Sequence, residues 1–364
     1  MTFYFLILFG LYFVLLIVLR IGWLKAVAKT KMKAAEKAYF ISVIVPVRNE
    51  EKNIGTLLKS LERQDYLKSN FEVILVDDHS TDDSFEKCKG RLQNMATFSL
   101  DKDENGKKAA LTRGINYAEG EIIASTDADC LLPSDWLATI NSTFQGDLIN
   151  MAAGMVSIAD DEKLFPQWQA MEFASVMGTG AAAFGLNAPM MCNGANLSFR
   201  KQVFSEVNGY EGNSHVASGD DEFLMRKILS RYPDSIQMMN SIVVTQPQAT
   251  LRDFFQQRIR WASKWKGNPS ISAKLLAVFI FLTQLSWIFF LATFYRYDPM
   301  TTLVLFLLKI IADLLFLLPI FRLMKIKFRL IPFLGLQFFY PFYVIFVGLL
   351  APWISYQWKD RKIL

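Results

Sequence analysis

Residues 2–19 (TFYFLILFGLYFVLLIVL) carry no charged side chain. As a helix, an apolar run of about 18 residues is long enough to cross the hydrocarbon core of a bilayer. Residues 275–295, 301–321 and 330–356 are further apolar stretches of spanning length, separated by residues 296–299 and by RLMKIKFR at 322–329. These stretches divide the chain into apolar ends and a polar middle. The 52% hydrophobic content and mean hydropathy of +0.23 reflect the two ends and exclude an ordinary soluble domain for the whole chain.

Arg20, Lys25, Lys29, Lys31 and Lys33 follow the first run directly. Basic residues favour the cytoplasmic side, so residue 25 onward is expected inside, with the N-terminus outside. AVA at residues 26–28 also resembles a signal-peptide cleavage site, but no Lys or Arg precedes the run and the run is long, so an uncleaved anchor is the expectation. The basic second C-terminal loop belongs on the same inner side. Parity then puts the C-terminus outside, whereas Lys359, Arg361 and Lys362 argue for inside, and Pro332, Pro341 and Pro352 allow the last stretch to break into a hairpin or interfacial helices. The net charge of +5 is explained by cations at membrane boundaries facing anionic lipid, with no nucleic-acid face required. Cys88, Cys130 and Cys192 are scattered and odd in number, which fits reduced thiols in a cytoplasmic setting, and two histidines exclude a histidine-rich metal site.

Between about residues 38 and 250, short β-branched runs alternate with helical patterns, which predicts an α/β domain with a parallel or mostly parallel sheet. FISVIVPVRNE delivers Pro46 and Glu50 to a strand end. FEVILVDDHS delivers Asp77 and Asp78, and EIIASTDADC delivers Asp127 and Asp129. Ligands of such sheets bind where the strands end. Carboxylates at i and i+2 are able to converge on one hard cation such as Mg²⁺ or Mn²⁺, which favours oxygen ligands shared with water and substrate phosphates. Each acid pair alone equally fits a cap or turn. ENGKKAALTRG places Lys107 and Lys108 at a helix start, suited to a phosphate or to solvent. Asp220, Asp221 and Glu222 open the helical pattern FLMRKILSRY, where acids also favour the helix dipole.

The order P-x-x-N-E, VDD-x-S, G-K before a helix, then D-A-D resembles the catalytic domain of family 2 glycosyltransferases. GANLSFRK at 194–201, NGY at 208–210, SGDDEFLMRKI at 218–228 and QRIRW at 257–261 continue that order. The resemblance covers about residues 38–267, and the flanking spans resemble the membrane-embedded branch that includes cellulose, chitin, hyaluronan and glycolipid synthases. It implies a GT-A nucleotide-diphospho-sugar transferase domain, α/β in class, flanked by one N-terminal and about three C-terminal transmembrane helices. The expected organisation is an N-terminal span (1–24), a basic linker (25–37), the GT-A domain (38–250), an interfacial helix (251–270), the C-terminal spans (271–356) and a tail (357–364).

The resemblance also implies roles. Asp77 and Asp78 contact the uracil or ribose of a UDP-sugar, with Pro46, Glu50, Lys107 and Asp127 also at the donor site. Asp129, helped by Asp127, holds Mg²⁺ or Mn²⁺ bridging the diphosphate. Asp221 matches the catalytic base, and Asp220 stands where the family more often has Glu, which shortens its reach. Gln257, Arg260 and Trp261 match Q-x-x-R-W, expected at the acceptor and diphosphate; at i, i+3 and i+4 they share one helix face. The same segment, with Arg252, Arg258, Lys264, Trp265 and Lys266, also fits lipid headgroups. His215 reads as a solvated loop residue, and the Met- and aromatic-rich residues 164–191 as core, acceptor cleft or membrane contact.

The expected activity is an inverting, metal-dependent transfer of sugar from a nucleotide donor, UDP by expectation, to a lipid-linked or glycan acceptor at the cytoplasmic face of a membrane, a bacterial inner membrane by expectation. Four spans are few for a glycan channel, which favours limited transfer. A processive polysaccharide synthase and an inactive scaffold with the same fold are the competing readings.

Overall fold

The computed structural model describes residues 2–30, 35–145, 148–212, 219–263, 270–351, 353, 356–358 and 361–363. In chain order the elements are α1 (Thr2–Lys29), β1 (Ile41–Val47), α2 (Ile54–Glu62), β2 (Phe71–Asp77), α3 (Ser84–Cys88), β3 (Met95–Ser99) and α4 (Lys107–Tyr117). They continue with β4 (Ile122–Ser125), α5 (Trp136–Thr143), β5 (Met151–Ile158), α6 (Leu164–Gly185), β6 (Leu197–Arg200), α7 (Lys201–Glu206), α8 (Asp220–Arg231) and β7 (Ile236–Thr245). The remainder is α9 (Leu251–Ser263), α10 (Ile271–Tyr297), α11 (Pro299–Leu323), α12 (Leu330–Leu350) and the hairpin β8 (Tyr356–Trp358) and β9 (Arg361–Ile363). The chain divides into two compact units: residues 26–157 with 191–246, and residues 1–25 with 158–190 and 247–364.

The first unit is built on a seven-stranded sheet of order β3-β2-β1-β4-β6-β5-β7. β1 reads ISVIVPV and is buried along almost its whole length, as a strand covered on both faces must be. It pairs in parallel with β2 and β4, and β2 pairs in parallel with β3, so these strands end at one edge. The register sets Val47 opposite Asp77 and Ile44 opposite Ser125. The sheet is more mixed than the sequence predicts, because β6 runs antiparallel to both β4 and β5. Four residues suffice for β6 since Asn196, just before it, satisfies its buried amide: it accepts from the Trp136 indole and donates to the carbonyls of Met155 and Ser241. Gly154 leaves room for this; a Cβ there would lie 2.2 Å from the Asn196 amide nitrogen.

The second unit is helical. Among the described residues, four helices are long and apolar enough to cross a membrane: Phe5–Lys29, Ala273–Thr293, Pro299–Leu323 and Leu330–Leu350. The first helix therefore runs on into the stretch the sequence assigns to a basic linker. The last is continuous through Pro341, so residues 330–350 form one helix rather than a hairpin; Pro352 and Lys359 lie outside the described residues. Phe5, Phe9, Trp287 and Phe290 pack together where α1 meets α10, Phe5 and Trp287 each stacking on Phe290 and Phe9 tilted against Trp287. Gly22 lets α1 approach α6, since a Cβ there would lie 2.4 Å from the Ala182 carbonyl oxygen. Buried charge inside the bundle is paired: the Lys309 ammonium donates to Asp313 at 2.7 Å and to Gln337 at 2.6 Å, and the Tyr12 hydroxyl donates to Asp313 at 2.6 Å.

Candidate active site

The acids of the sheet unit arise where strands stop. β2 ends at Asp77, and Asp78 follows with its amide donating to the Val47 carbonyl at 2.8 Å, which ties the two strand ends together. Both carboxylates are buried. Asp77 Oδ2 accepts from the Ser80 amide at 3.1 Å, while its Oδ1 is buried with no hydrogen-bond partner. A buried carboxylate oxygen left without a partner costs free energy that a bound donor would recover. Arg48 braces the turn by donating to the carbonyls of Asp78 and His79. Pro46 sits within β1 opposite Val76. Glu50 accepts the Asn53 side-chain amide at 2.7 Å, and its own amide donates to Ser84 Oγ.

A second group gathers around Gly194. Lys107, the first residue of α4, donates to Asp127 Oδ1 at 2.5 Å, and its side chain is 22% exposed. A Cβ at Gly194 would lie 3.5 Å from the Lys107 ammonium, 3.7 Å from Asp220 Oδ2 and 3.7 Å from Asp221 Cβ, so all three surround this glycine. Burial opposes the ammonium charge, but the nearby carboxylates of Asp127, Asp220 and Asp221 outweigh it and hold the Lys107 pKa above its ordinary value. The Asp221 carboxylate is oriented by two backbone amides, from Gly194 at 3.0 Å and from Glu222 at 2.8 Å. Ser125, the last residue of β4, fixes the glycine in turn by donating to its carbonyl at 2.8 Å. One lysine and three acids from three separate stretches thus meet beside the end of β4. The Tyr210 hydroxyl, buried near the same acids, is pushed well above its ordinary pKa by burial and then by Asp220 and Asp221.

Asp129 accepts from the Thr245 hydroxyl at 2.9 Å, and the bridge between Leu131 and Val244 holds the end of β7 against this loop. Cys130 is buried in the same loop; burial, then Asp129 and Asp127, push its thiol well above its usual range. No group of three His, Cys, Asp or Glu able to hold a metal ion occurs among the described residues. A cation held by Asp127 and Asp129 would take its remaining ligands from water and a bound diphosphate, the ordinary way Mg²⁺ is held.

The structure thus brings Lys107, Asp127, Asp220 and Asp221 together, with Asp129 in the adjoining loop and Asp77 and Asp78 at the same strand edge. Gln257, Arg260 and Trp261 belong to α9 in the helical unit, each half-buried. Arg258, which the sequence reading offers to lipid headgroups, is instead buried against Glu172. His215, Lys264, Trp265 and Lys266 lie outside the described residues. Sequence reasoning missed Gly194 as the point of convergence, Thr245 as the partner of Asp129, and Glu172. The last had a signal: one acid in an otherwise uncharged helical run of Met, Ala and aromatics must find a cation if that run is buried.

Residues 42–207 match the model of the family described as "Glycosyl transferase family 2". The chain is 28% identical to glycosyltransferase AglE of Haloferax volcanii over 50% of this chain and 59% of that protein. It is 26% identical to a glucosyl-dolichyl phosphate glucuronosyltransferase of the same organism over 48% of this chain and 56% of the relative. It therefore spans less than two thirds of the length of either relative. In fold it resembles the mannosyltransferase PcManGT from Pyrobaculum calidifontis, solved in complex with GDP-Man and Mn²⁺, with a TM-score of 0.58, 20% identity, and coverage of 97% of this chain and 96% of that one.

Proposed function

We propose that this chain, whose residues 42–207 match the glycosyltransferase family 2 model and whose described residues include four long apolar helices, transfers sugar from a nucleotide donor to a lipid-linked or glycan acceptor with inversion at the anomeric carbon. The observation that carries the reading is the convergence of Lys107, Asp127, Asp220 and Asp221 around Gly194, next to a strand edge bearing Asp77 and Asp78.

Each side chain has a task. Asp77 and Asp78 take the nucleoside, the unpartnered Oδ1 of Asp77 accepting a hydrogen bond from the base or ribose, with Pro46 and Glu50 flanking that pocket. Lys107 faces the diphosphate as a point charge. Asp127 and Asp129 hold the divalent cation, which when bound offsets the charge that develops on the departing nucleoside diphosphate. Asp221, fixed by two amides, accepts the proton of the acceptor hydroxyl as that oxygen attacks opposite the leaving group, and inversion follows. Asp220, short for a family Glu, pairs electrostatically with Lys107. Gln257, Arg260 and Trp261 serve the acceptor and diphosphate. UDP is the donor nucleotide in this reading, and the transfer is limited rather than processive. A lipid-linked acceptor is supported by the name of the glucosyl-dolichyl phosphate relative, and the cytoplasmic face by the basic residues after the first span.

The test is nucleoside diphosphate release by the full chain in detergent with Mn²⁺ or Mg²⁺, followed by mass analysis of the product. Asp221→Asn is expected to lower release about 10²- to 10⁴-fold, and Asp129→Ala or excess chelator to abolish it. Equal release from the wild type and both variants would remove the enzymatic case, undiminished turnover in chelator would reject the metal role, and long polymer from the purified protein would replace limited transfer with processive synthesis.

A further inference from the structure

Arg258 lies between two members of the Q-x-x-R-W signature, and its surroundings are unlike those of an interfacial arginine. It is 3% exposed on α9. One guanidinium nitrogen, Nη2, donates to Glu172 Oε2 of α6 at 2.5 Å, and the other, Nη1, to Gln257 Oε1 at 2.5 Å. Its Cζ lies 4.3 Å from the centroid of the Trp261 ring and 4.5 Å from that of Phe254. Glu172 is itself buried, and its second oxygen accepts from the Tyr343 hydroxyl of α12 at 3.3 Å. Phe173, next to Glu172, packs on Trp261 at 5.4 Å between centroids. Burial opposes the guanidinium charge, but the Glu172 carboxylate outweighs it and holds the pKa above the ordinary value.

An exposed arginine reaching for lipid has no use for a buried carboxylate, and a helix that needed only apolar anchoring has no use for a buried ion pair, which is often neutral for stability against well-packed apolar residues. What the pair does supply is geometry. A planar fork with fixed donors holds two partners at set angles, and its face holds a ring. Here one donor and the face go to Gln257 and Trp261, and the other donor goes to a residue on a different helix. We infer that Arg258 is the positioning residue of Gln257 and Trp261 within the Q-x-x-R-W signature, with Glu172 as its fixed counter-charge. Its catalytic consequence rests on the proposed use of that signature at the acceptor and diphosphate.

The test replaces the pair in the full chain in lipid nanodiscs, with Arg258→Met/Glu172→Leu to keep the site neutral and Arg258→Lys to keep the charge while losing the fork. The direct readout is the ¹⁹F resonance of Trp261 in protein labelled with 5-fluorotryptophan, assigned by Trp261→Phe. Alongside it, nucleoside diphosphate release is measured from a mixture of UDP-glucose, UDP-N-acetylglucosamine and GDP-mannose over lipid extract. A single narrow Trp261 resonance is expected in the wild type, and a broadened or split one in both variants, with turnover lowered about tenfold in the double variant, the scale a small misplacement near the chemistry commands. An unchanged Trp261 resonance in both variants would overturn the positioning role whatever the turnover. A perturbed resonance with wild-type turnover would leave the anchoring intact and overturn the catalytic use of the signature instead.

Discussion

Buried carboxylates and thiols place the sharpest demands on individual residues. Asp77 Oδ1 is buried without a hydrogen-bond donor, and a nucleotide hydroxyl or base N–H would satisfy it. UDP at about 100 times its dissociation constant is therefore expected to stabilise the wild type by about 2.7 kcal/mol, measured as a thermal shift, and Asp77→Ala to lose most of that gain. A shift by GDP and none by UDP would assign the nucleotide differently. Cys88, buried beneath the same turn with its thiol donating to the Ser84 carbonyl, has its pKa pushed up to about 11 by burial and then by Asp77. The thiol is neutral in both folded and unfolded chains below the unfolded pKa of about 8.5. Above that pH only the unfolded chain releases the proton, so stability falls as pH rises toward 11, by about 1.4 kcal/mol per pH unit at most. Denaturant midpoints of wild type and Cys88→Ala measured between pH 8 and 11 are expected to converge as pH rises; parallel curves would refute the shift.

What the sequence reveals about each element tracks how one-sided its burial is. β1, β2 and β4 are legible because a strand buried on both faces needs an unbroken β-branched run, and the acids that end them are legible for the same reason: a charge cannot continue such a strand. β3, half-exposed at the sheet edge, and the four-residue β6 carry no such run. β7 has one, but Asn240 interrupts it, and its place beside β5 comes from long-range pairing that no local pattern encodes. Convergence at Gly194 is hidden likewise, since it depends on β4, α4 and α8 meeting. α4 also carries a constraint visible only in three dimensions. A Cβ at Gly114 would lie 2.5 Å from Cγ2 of Ile44, a fully buried residue of β1. Gly114→Ala is expected to push α4 off the sheet at a cost of about 1 to 3 kcal/mol and, because Lys107 opens the same helix, to weaken nucleotide binding. A calorimetric midpoint unchanged from wild type would mean that Ile44 yields without moving the helix.

For the molecule as a whole, the membrane arrangement follows from lengths and charges. α11 has 25 residues, about 37 Å of helix against a hydrocarbon core of about 30 Å, so its two ends belong on opposite faces. The turn after it is basic, with Arg322, Lys325, Lys327 and Arg329, which favours the cytoplasm. Arg329 donates to Asp160 at 3.0 Å and to the Asp161 carbonyl at 3.1 Å. The charge predicts one parity: the second loop inside, the α10–α11 connection outside. A cysteine introduced at Met300, 70% exposed, in a chain otherwise free of cysteine, is expected to react with an impermeant maleimide on intact cells. One at Lys327 is expected to react only after lysis. If Lys327→Cys labels from outside while Met300→Cys is protected, nucleotide sugars made in the cytoplasm would have no access to the strand edge. The donor chemistry would then have to be sought among activated sugars available on the other face.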